Sequence, residues 1–355
     1  MPMSERKYSD IVSQLKREIL SGKFEEGGAF PTGRRLAERF HVSRPTINRV
    51  MIDLRTEGLI VTRAGAAPRL SRFAQHATGT LGVIHPGRRY GGVLSDICEG
   101  LVRHGERQGW DVVVFEMVEE KPERRVGELV QAIRRFSDER VAGLFLQPFE
   151  YLRDEHAARQ CVSDELERSN MPTVLLDYDS LRSDDRSRYD LVSFDNVSSG
   201  LAVGRSLLSR GVRKIAFFLK TGSPPSVVDR MRGVSAAVIE NEGSWSWREN
   251  VLVSDAFDRT GVRAFLARHR PDAIVCGNDL TAVRLHGILK GVKDASGVLL
   301  AGFDNQPEAS ACGITSVCQP CDELSFVAVQ TLLSRLRNPT MPVCTISIPG
   351  CVVVR

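Results

Sequence analysis

Two groups of residues in this 355-residue chain have the types and spacing to do chemistry. The first consists of polar side chains that follow short apolar runs: Asp177 after Val174-Leu175-Leu176, Asn278 and Asp279 after AIVCG, and Asp304 with Asn305 after LLAGF. Such runs read as buried strands, and polar groups at their C-terminal ends stand where α/β sheets hold ligands. A strand-end Asp can also simply cap the next helix, and that plainer use is preferred here for Asp195, before Asn196, and for Asp279. The second group is Ser43-Arg44-Pro45-Thr46-Ile47-Asn48. Arg44 and Asn48 lie one helical turn apart. Arg is suited to O6 and N7 of guanine and Asn to N6 and N7 of adenine, while the Ser43 and Thr46 hydroxyls can reach phosphates or bases.

Catalytic chemistry finds no comparable support. The chain has no Ser-His-Asp ordering, no HExxH and no phosphate-type glycine loop, and most of its seven histidines lack a spaced partner. The one tight cysteine pair, Cys318 and Cys321 in CQPC, would need a second ligand pair to hold zinc, which Cys312 alone does not provide. The eight cysteines read instead as buried thiols of an intracellular protein. No catalytic residue, metal or cofactor is expected.

The elements that position the two groups can be read from periodicity. Hydrophobic residues make up 42% and charged residues 26%, an ordinary balance for a folded soluble chain of two or three domains. Residues 1–70 carry 13 Lys and Arg against 8 Asp and Glu, whereas the remainder is close to neutral. A basic module on a neutral body points to a polyanion as partner of that module. Within it, Ile11, Val12, Leu15 and Ile19 make a first helix ending near Gly22, and a second runs from about Thr32 to Phe40. After a turn at His41–Ser43, Ser43 caps a third, with Ile47, Val50, Met51 and Leu54 on one face, before two short strands flank residues 63–67. Two helices around a tight turn form a helix-turn-helix, whose second helix offers its N-terminal residues to the major groove. Net charge alone would fit a small three-helix domain with solvated arginines equally well.

Residues 71–79 have no periodicity and read as a linker; from about residue 80 onward, apolar strands alternate with amphipathic helices. That alternation predicts parallel sheets covered on both faces, and about 275 residues is long for one such sheet, so two doubly wound lobes with a cleft between them are expected. MPMSERKYSD has no apolar run fit for a signal peptide and no segment has the ~18 consecutive apolar residues of a membrane span, so a cytoplasmic protein without membrane contact is expected.

Two resemblances sharpen these expectations. The run from Gly22-Lys23-Phe24 through FPTGRRLA (30–37) to VSRPTINRVMIDLRTEGLI (42–60) resembles the winged-helix domain of GntR-family transcription regulators. This implies that Arg34, Arg35 and Arg44 contact DNA, with Ser43, Thr46 and Asn48 alongside and Arg63 and Gly65 in the wing. Gly33 stands where the family has Glu, Asn48 where Arg is common, and the wing reads Gly65-Ala66-Ala67. From about Gly79 to Arg355 the chain is similar to the effector domain of LacI/GalR regulators, through FDNVSSGLAVGRSLLSRGVRKIAFF (194–218), RMRG (230–233), CGND (276–279), LLAGFDN (299–305), SVCQP (316–320) and VVVR (352–355). By that likeness the body has a periplasmic-binding-protein-like fold; Asp177, Arg230, Asn278 and Asp304 face the cleft; Ser226 and Gln319 join them; and the loop from His85 to Tyr90 closes one side. Arg88 and Arg89 in that loop favour an anionic or phosphorylated sugar.

The combination resembles arabinose-repressor-type regulators. The expected fold is therefore α/β, with an N-terminal winged helix-turn-helix domain at 1–70 and a two-lobed body at 80–355. The expected partners are double-stranded operator DNA, a sugar or sugar phosphate effector, and a second copy of the chain. A solute-binding protein or a sugar-modifying enzyme on the same fold is the alternative.

Overall fold

The computed structural model describes residues 3–20, 23–24, 30–56, 59–61, 67–70, 79–87, 92–119, 121–147, 155–181, 186–254, 259–292, 295 and 297–355. The N-terminal helices are α1 (Met3–Leu20), α2 (Gly33–Phe40) and α3 (Arg44–Thr56), followed by the antiparallel pair β1 (Ile60–Val61) and β2 (Arg69–Leu70). The apolar stripes read from the sequence converge on one core, in which Leu15, Leu36, Ile47, Val50 and Leu54 are fully enclosed. The turn between α2 and α3 is made by His41 in the left-handed region, at φ 50°. Glu18 ties α1 to α2 by accepting hydrogen bonds from Arg39, Lys23 and Gln14, and the first of these holds its carboxyl down at about 2.

The body contains two six-stranded sheets. Its first half runs β3 (Thr80–His85), α4 (Val93–Arg107), β4 (Asp111–Glu116), α5 (Pro122–Asp138), β5 (Gly143–Leu146), α6 (Glu155–Ser169), β6 (Thr173–Leu176) and β7 (Asp190–Phe194). The second half runs α7 (Asn196–Ser209), β8 (Ile215–Lys220), α8 (Pro225–Glu240), α9 (Trp247–Asn250), β9 (Val251–Ser254), α10 (Arg259–His269), β10 (Ala273–Cys276), α11 (Asp279–Leu289), β11 (Leu299–Phe303), α12 (Pro307–Ala311) and β12 (Thr315–Cys318). The chain then returns through α13 (Cys321–Arg337), β13 (Thr345–Ile348) and β14 (Cys351–Val353). Strand order is β13-β7-β6-β5-β3-β4 in the first sheet, parallel throughout, and β14-β12-β11-β10-β8-β9 in the second, where only the β12–β14 pair is antiparallel.

Strands covered on both faces must be apolar on both, and β3 and β8 show why their sequences are continuous runs. Leu81 and Val83 of β3 face a core shared by both lobes, whereas Ile84 faces the outer core under α5 and α6. Likewise Ile215, Phe217 and Leu219 join the shared core while Ala216 and Phe218 pack under α10 and α11. The lobes are connected three times: between β7 and α7, between β12 and α13, and between β13 and β14.

Sequence periodicity passed over α6, β7, α13 and the strands after β11. In α13 the cause is physical: Leu324, Ala328, Val329, Leu332, Leu333 and Leu336 are all buried, because the helix returns into the shared core and shows little polar face. The cysteines also depart from expectation, since Cys161 and Cys351 are exposed while Cys98 and Cys276 are buried. Residues 71–78 of the expected linker, and Arg63, Gly65 and Tyr90 among the expected contacts, lie outside the described residues.

α7 and α8 touch backbone to backbone, and glycine makes this possible. A Cβ on Gly233 would lie 2.0 Å from the Val197 carbonyl oxygen, and one on Gly200 would lie 2.1 Å from the carbonyl oxygen of Arg230. Gly233→Ala should therefore force the helices apart and destabilise the chain by about 1–3 kcal/mol, the ordinary penalty of overpacking. A urea melt checks this; a midpoint equal to wild type would show that the helix pair is not rigid.

Candidate functional site

The close approach of α7 and α8 carries Arg230 into the seam between the lobes. Its guanidinium is buried: Nε donates to Asn196 Oδ1 at 2.8 Å, one terminal nitrogen donates to the Gly277 carbonyl at 2.6 Å, and the Phe303 ring lies 4.7 Å beneath it. Asp304 Oδ1 stands 4.0 Å from the same guanidinium and accepts a hydrogen bond from Gln319 Nε2 at 2.7 Å. Asp177 reaches the seam from the first lobe, where Ser226 Oγ of the second lobe donates to its Oδ2 at 3.5 Å. Four of the seven sequence-derived ligand residues, Asp177, Ser226, Arg230 and Asp304, thus meet where the lobes meet, with Gln319 on a crossover beside them.

Both aspartates sit where a strand turns sharply. Asp177 has φ 66° and Asp304 φ 106°, both positive, a backbone region that side-chain-bearing residues seldom adopt. Their environment opposes ionisation. Burial pushes Asp177 up against the pull of Arg230, and it pushes Asp304 up to about 7, with Arg230 opposing and Asp279 and Asp177 adding to the rise. Arg230 therefore does not offset the burial of these two carboxyls, which favours their protonated form, a group that can both donate and accept hydrogen bonds.

Two expectations about the second lobe change. Asn278 is the residue that caps α11, its Oδ1 accepting from Thr281 N at 2.9 Å, which ties up one of the oxygen's two acceptor positions. Asp279, expected to be that cap, is fully buried; it accepts from Ser316 Oγ at 2.8 Å and from Gln306 N at 2.8 Å, and burial lifts its carboxyl to about 6. It braces β11 and β12 behind the site. Asp195 does cap α7, accepting from Ser198 N at 2.9 Å.

Sequence reasoning missed Asn196, which orients Arg230 from the first crossover, and Gln147. The latter follows β5; its Nε2 donates to the Leu94 carbonyl at 2.9 Å, while its buried Oε1 has no partner among the described residues. Asn196 had a signal, since it lies inside FDNVSSG directly before an apolar helix. Gln147 had none beyond its place at a strand end.

At the N-terminal module, Arg34 and Arg35 of α2 are exposed, as are Ser43, Arg44 and Asn48, and Thr46 is half-buried, while α3 turns Ile47, Val50 and Leu54 inward. Ser43 Oγ is 2.9 Å from Thr46 Oγ1 and accepts from Thr46 N at 3.4 Å, the expected cap. Arg34 pairs with Glu38 one turn on, at 3.0 Å. Gly33 and Asn48 lie side by side: a Cβ on the glycine would be 3.8 Å from Asn48 Oδ1, which leaves the Asn48 amide open toward solvent.

With this geometry in view, the comparisons with known proteins divide the chain in two. Residues 7–69 match the description "Bacterial regulatory proteins, gntR family" and residues 205–355 match "Periplasmic binding protein-like domain". The chain joins a GntR-family DNA-binding domain to a periplasmic-binding-protein-like domain. This regulator is 25% identical over 358 residues to the arabinose metabolism transcriptional repressor of Geobacillus stearothermophilus, a match covering 94% of this chain and 92% of that protein. It is 28% identical over 184 residues to the transcriptional repressor PurR of Klebsiella pneumoniae, where the match spans 48% of this chain and about half, 52%, of the relative. Among solved structures, a complex of the regulator CelR with cellobiose has TM-score 0.64 at 18% identity, covering 92% of this chain and 99% of that one. The transcription regulator GntR of Chromobacterium violaceum has TM-score 0.59 at 20% identity, covering 78% of this chain and 98% of that one. These likenesses show the fold. Its relatives are transcription regulators, and among the described residues no helix is long and apolar enough to cross a membrane.

The raised Asp304 carboxyl gives this site a pH signature. Between about pH 4, the ordinary carboxylate value, and pH 7 the folded chain holds a proton that the unfolded chain has lost, so ligand-free stability falls as pH rises through that window. Asp304→Asn keeps the oxygen that Gln319 needs and removes the charge. Its melting temperature at pH 7.5 should exceed wild type by a few degrees, the gain vanishing near pH 4; an equal gain at both pH values would show that ionisation of Asp304 is not the cause.

Proposed function

We propose that this regulator is a repressor in the cytoplasm whose hold on operator DNA is released by a sugar or sugar phosphate bound in the seam around Arg230. The observation that carries the reading is the meeting of Asp177 from the first lobe with Arg230, Ser226 and Asp304 from the second. A ligand gripping both sides favours one lobe arrangement over another, and its effect on DNA can be no larger than that difference in affinity. Fixed acceptors beside fixed donors suit hydroxyls, which need both. The names of the relatives agree: one represses arabinose metabolism, and a structural neighbour holds cellobiose.

The reading divides the chain into a DNA reader at 1–70, a linker at 71–79 and a sensor at 80–355. In the reader, Arg44 takes a guanine and Asn48 an adenine, with Arg34 and Arg35 on the backbone and Arg63 and Gly65 from the wing. In the sensor, Asn278, Gln319 and Tyr90 complete the ligand shell. No catalytic step is assigned; turnover of a sugar by the purified protein would favour the enzyme alternative.

Separated function tests this. Arg44→Ala should weaken operator binding by about 1–3 kcal/mol and relax preference at one base pair per half-site while leaving sugar binding intact. Asp177→Gly, which suits the positive φ at that position, should leave operator binding intact but cost about 1–3 kcal/mol of sugar affinity and blunt release. Arg230 is a poor choice for the second arm, because its loss would also strand Asn196 and the Gly277 carbonyl. Gel-shift titration at fixed salt and calorimetry with a pentose, hexose and sugar phosphate panel read both arms. Loss of DNA binding in Asp177→Gly would contradict the assignment.

The proposed unit is a homodimer on a two-fold operator. The edge strand β4 supports it: Val113 and Val114 are 38% and 40% exposed, with Val118 beyond them at 80%. An apolar edge of this kind needs a cover. Sedimentation of the full chain at micromolar concentration should give a dimer that Val114→Lys weakens; a wild-type monomer would overturn it.

A further inference from the structure

Two thiols meet where the chain twice passes between the lobes. Cys318 is the last residue of β12, from which the chain leaves the second lobe for α13, and Cys351 is the first residue of β14, on the way back from β13. The two strands are antiparallel, and their register sets Cys318 directly opposite Cys351. Opposed residues in such a ladder have Cα atoms about 4.5–5.5 Å apart, inside the range that a disulfide spans without backbone movement. Cys351 is exposed on the edge strand, so an oxidant can reach it, whereas Cys318 is half-buried behind it. Cys321, three residues on, does not compete: its Sγ points at the Val93 carbonyl of the first lobe, 4.0 Å away.

We propose that Cys318 and Cys351 form an oxidation site at which a peroxide closes a reversible disulfide across the two inter-lobe connections. The Cys351 sulfur attacks one peroxide oxygen, breaking the O–O bond and giving a sulfenic acid and one water. The Cys318 sulfur then attacks the Cys351 sulfur, the S–S bond forms, and the hydroxyl leaves with the Cys318 proton as a second water. Two thiols are oxidised by two electrons and one peroxide is reduced. A small dithiol reverses the reaction by exchange. The closed loop encloses α13 and β13, the whole of the chain's second visit to the first lobe, so the bond removes freedom from the unfolded chain and pins the roots of two connections at once. The site is independent of which ligand fills the seam.

The test uses the full chain at pH 7.5 with hydrogen peroxide, followed by alkylation and peptide mass spectrometry without reduction. The expected product is a peptide pair joining Cys318 to Cys351 with the loss of two hydrogens, together with a melting temperature about 5 °C higher that returns to its starting value with dithiothreitol. Cys351→Ser should show neither change, and Cys321→Ser should show both. Single-thiol oxidation without the joined peptide, a bridge made through Cys321 or Cys161, or a joined peptide with no rise in melting temperature would each overturn the proposal.

Discussion

Everything at the lobe seam is arranged about one buried guanidinium. Arg230 is fixed on one side by Asn196 at the start of α7 and on the other by the Gly277 carbonyl just past β10, and its face is backed by Phe303. A buried cation is tolerated only when it is hydrogen-bonded, and Asn196 and the Gly277 carbonyl meet that need, while Asp304 and Asp177 face it as carboxyls whose ionisation burial opposes. The balance is uneven: Asp177, Asp279 and Asp304 are each pushed up by burial, against the pull of Arg230 and, at Asp279, of Arg355 as well. Such an arrangement is poorly satisfied on its own and better satisfied by a ligand that brings donors.

The frame that holds Arg230 in this place is the glycine contact between α7 and α8. Because Gly200 and Gly233 allow the backbones to touch, Asn196 and Arg230 come within hydrogen-bond reach although 34 residues separate them. Asp279, drawn back into the second lobe by Ser316 and Gln306, fixes the ends of β11 and β12 and with them the direction of Asp304.

The strands and helices whose apolar runs are long and regular were legible in the sequence, as were the two modules and the outward set on α3. Less legible were elements whose burial erases periodicity. α13 is apolar on several faces because it returns to a core already shared by both lobes, and in β7 the buried Asp190 and Ser193 break the apolar run. At the site, strand-end aspartates carried a signal because few other roles place Asp there, yet Asn278 and Asp279 exchanged the roles expected for them. Either can cap a helix, and only the packing of Ser316 against Asp279 decides which one turns inward. Asn196 and Gln147 act through partners distant in sequence, which no local pattern reveals.

The central claim is that one ligand engages both lobes around Arg230. Hydrogen–deuterium exchange of the full chain, with and without whichever sugar of the panel raises its melting temperature most, tests it most directly. The account predicts that amides at 177–178 in the first lobe and at 277–279 and 304–306 in the second slow together on binding. Protection confined to one lobe, or appearing away from both, would contradict it.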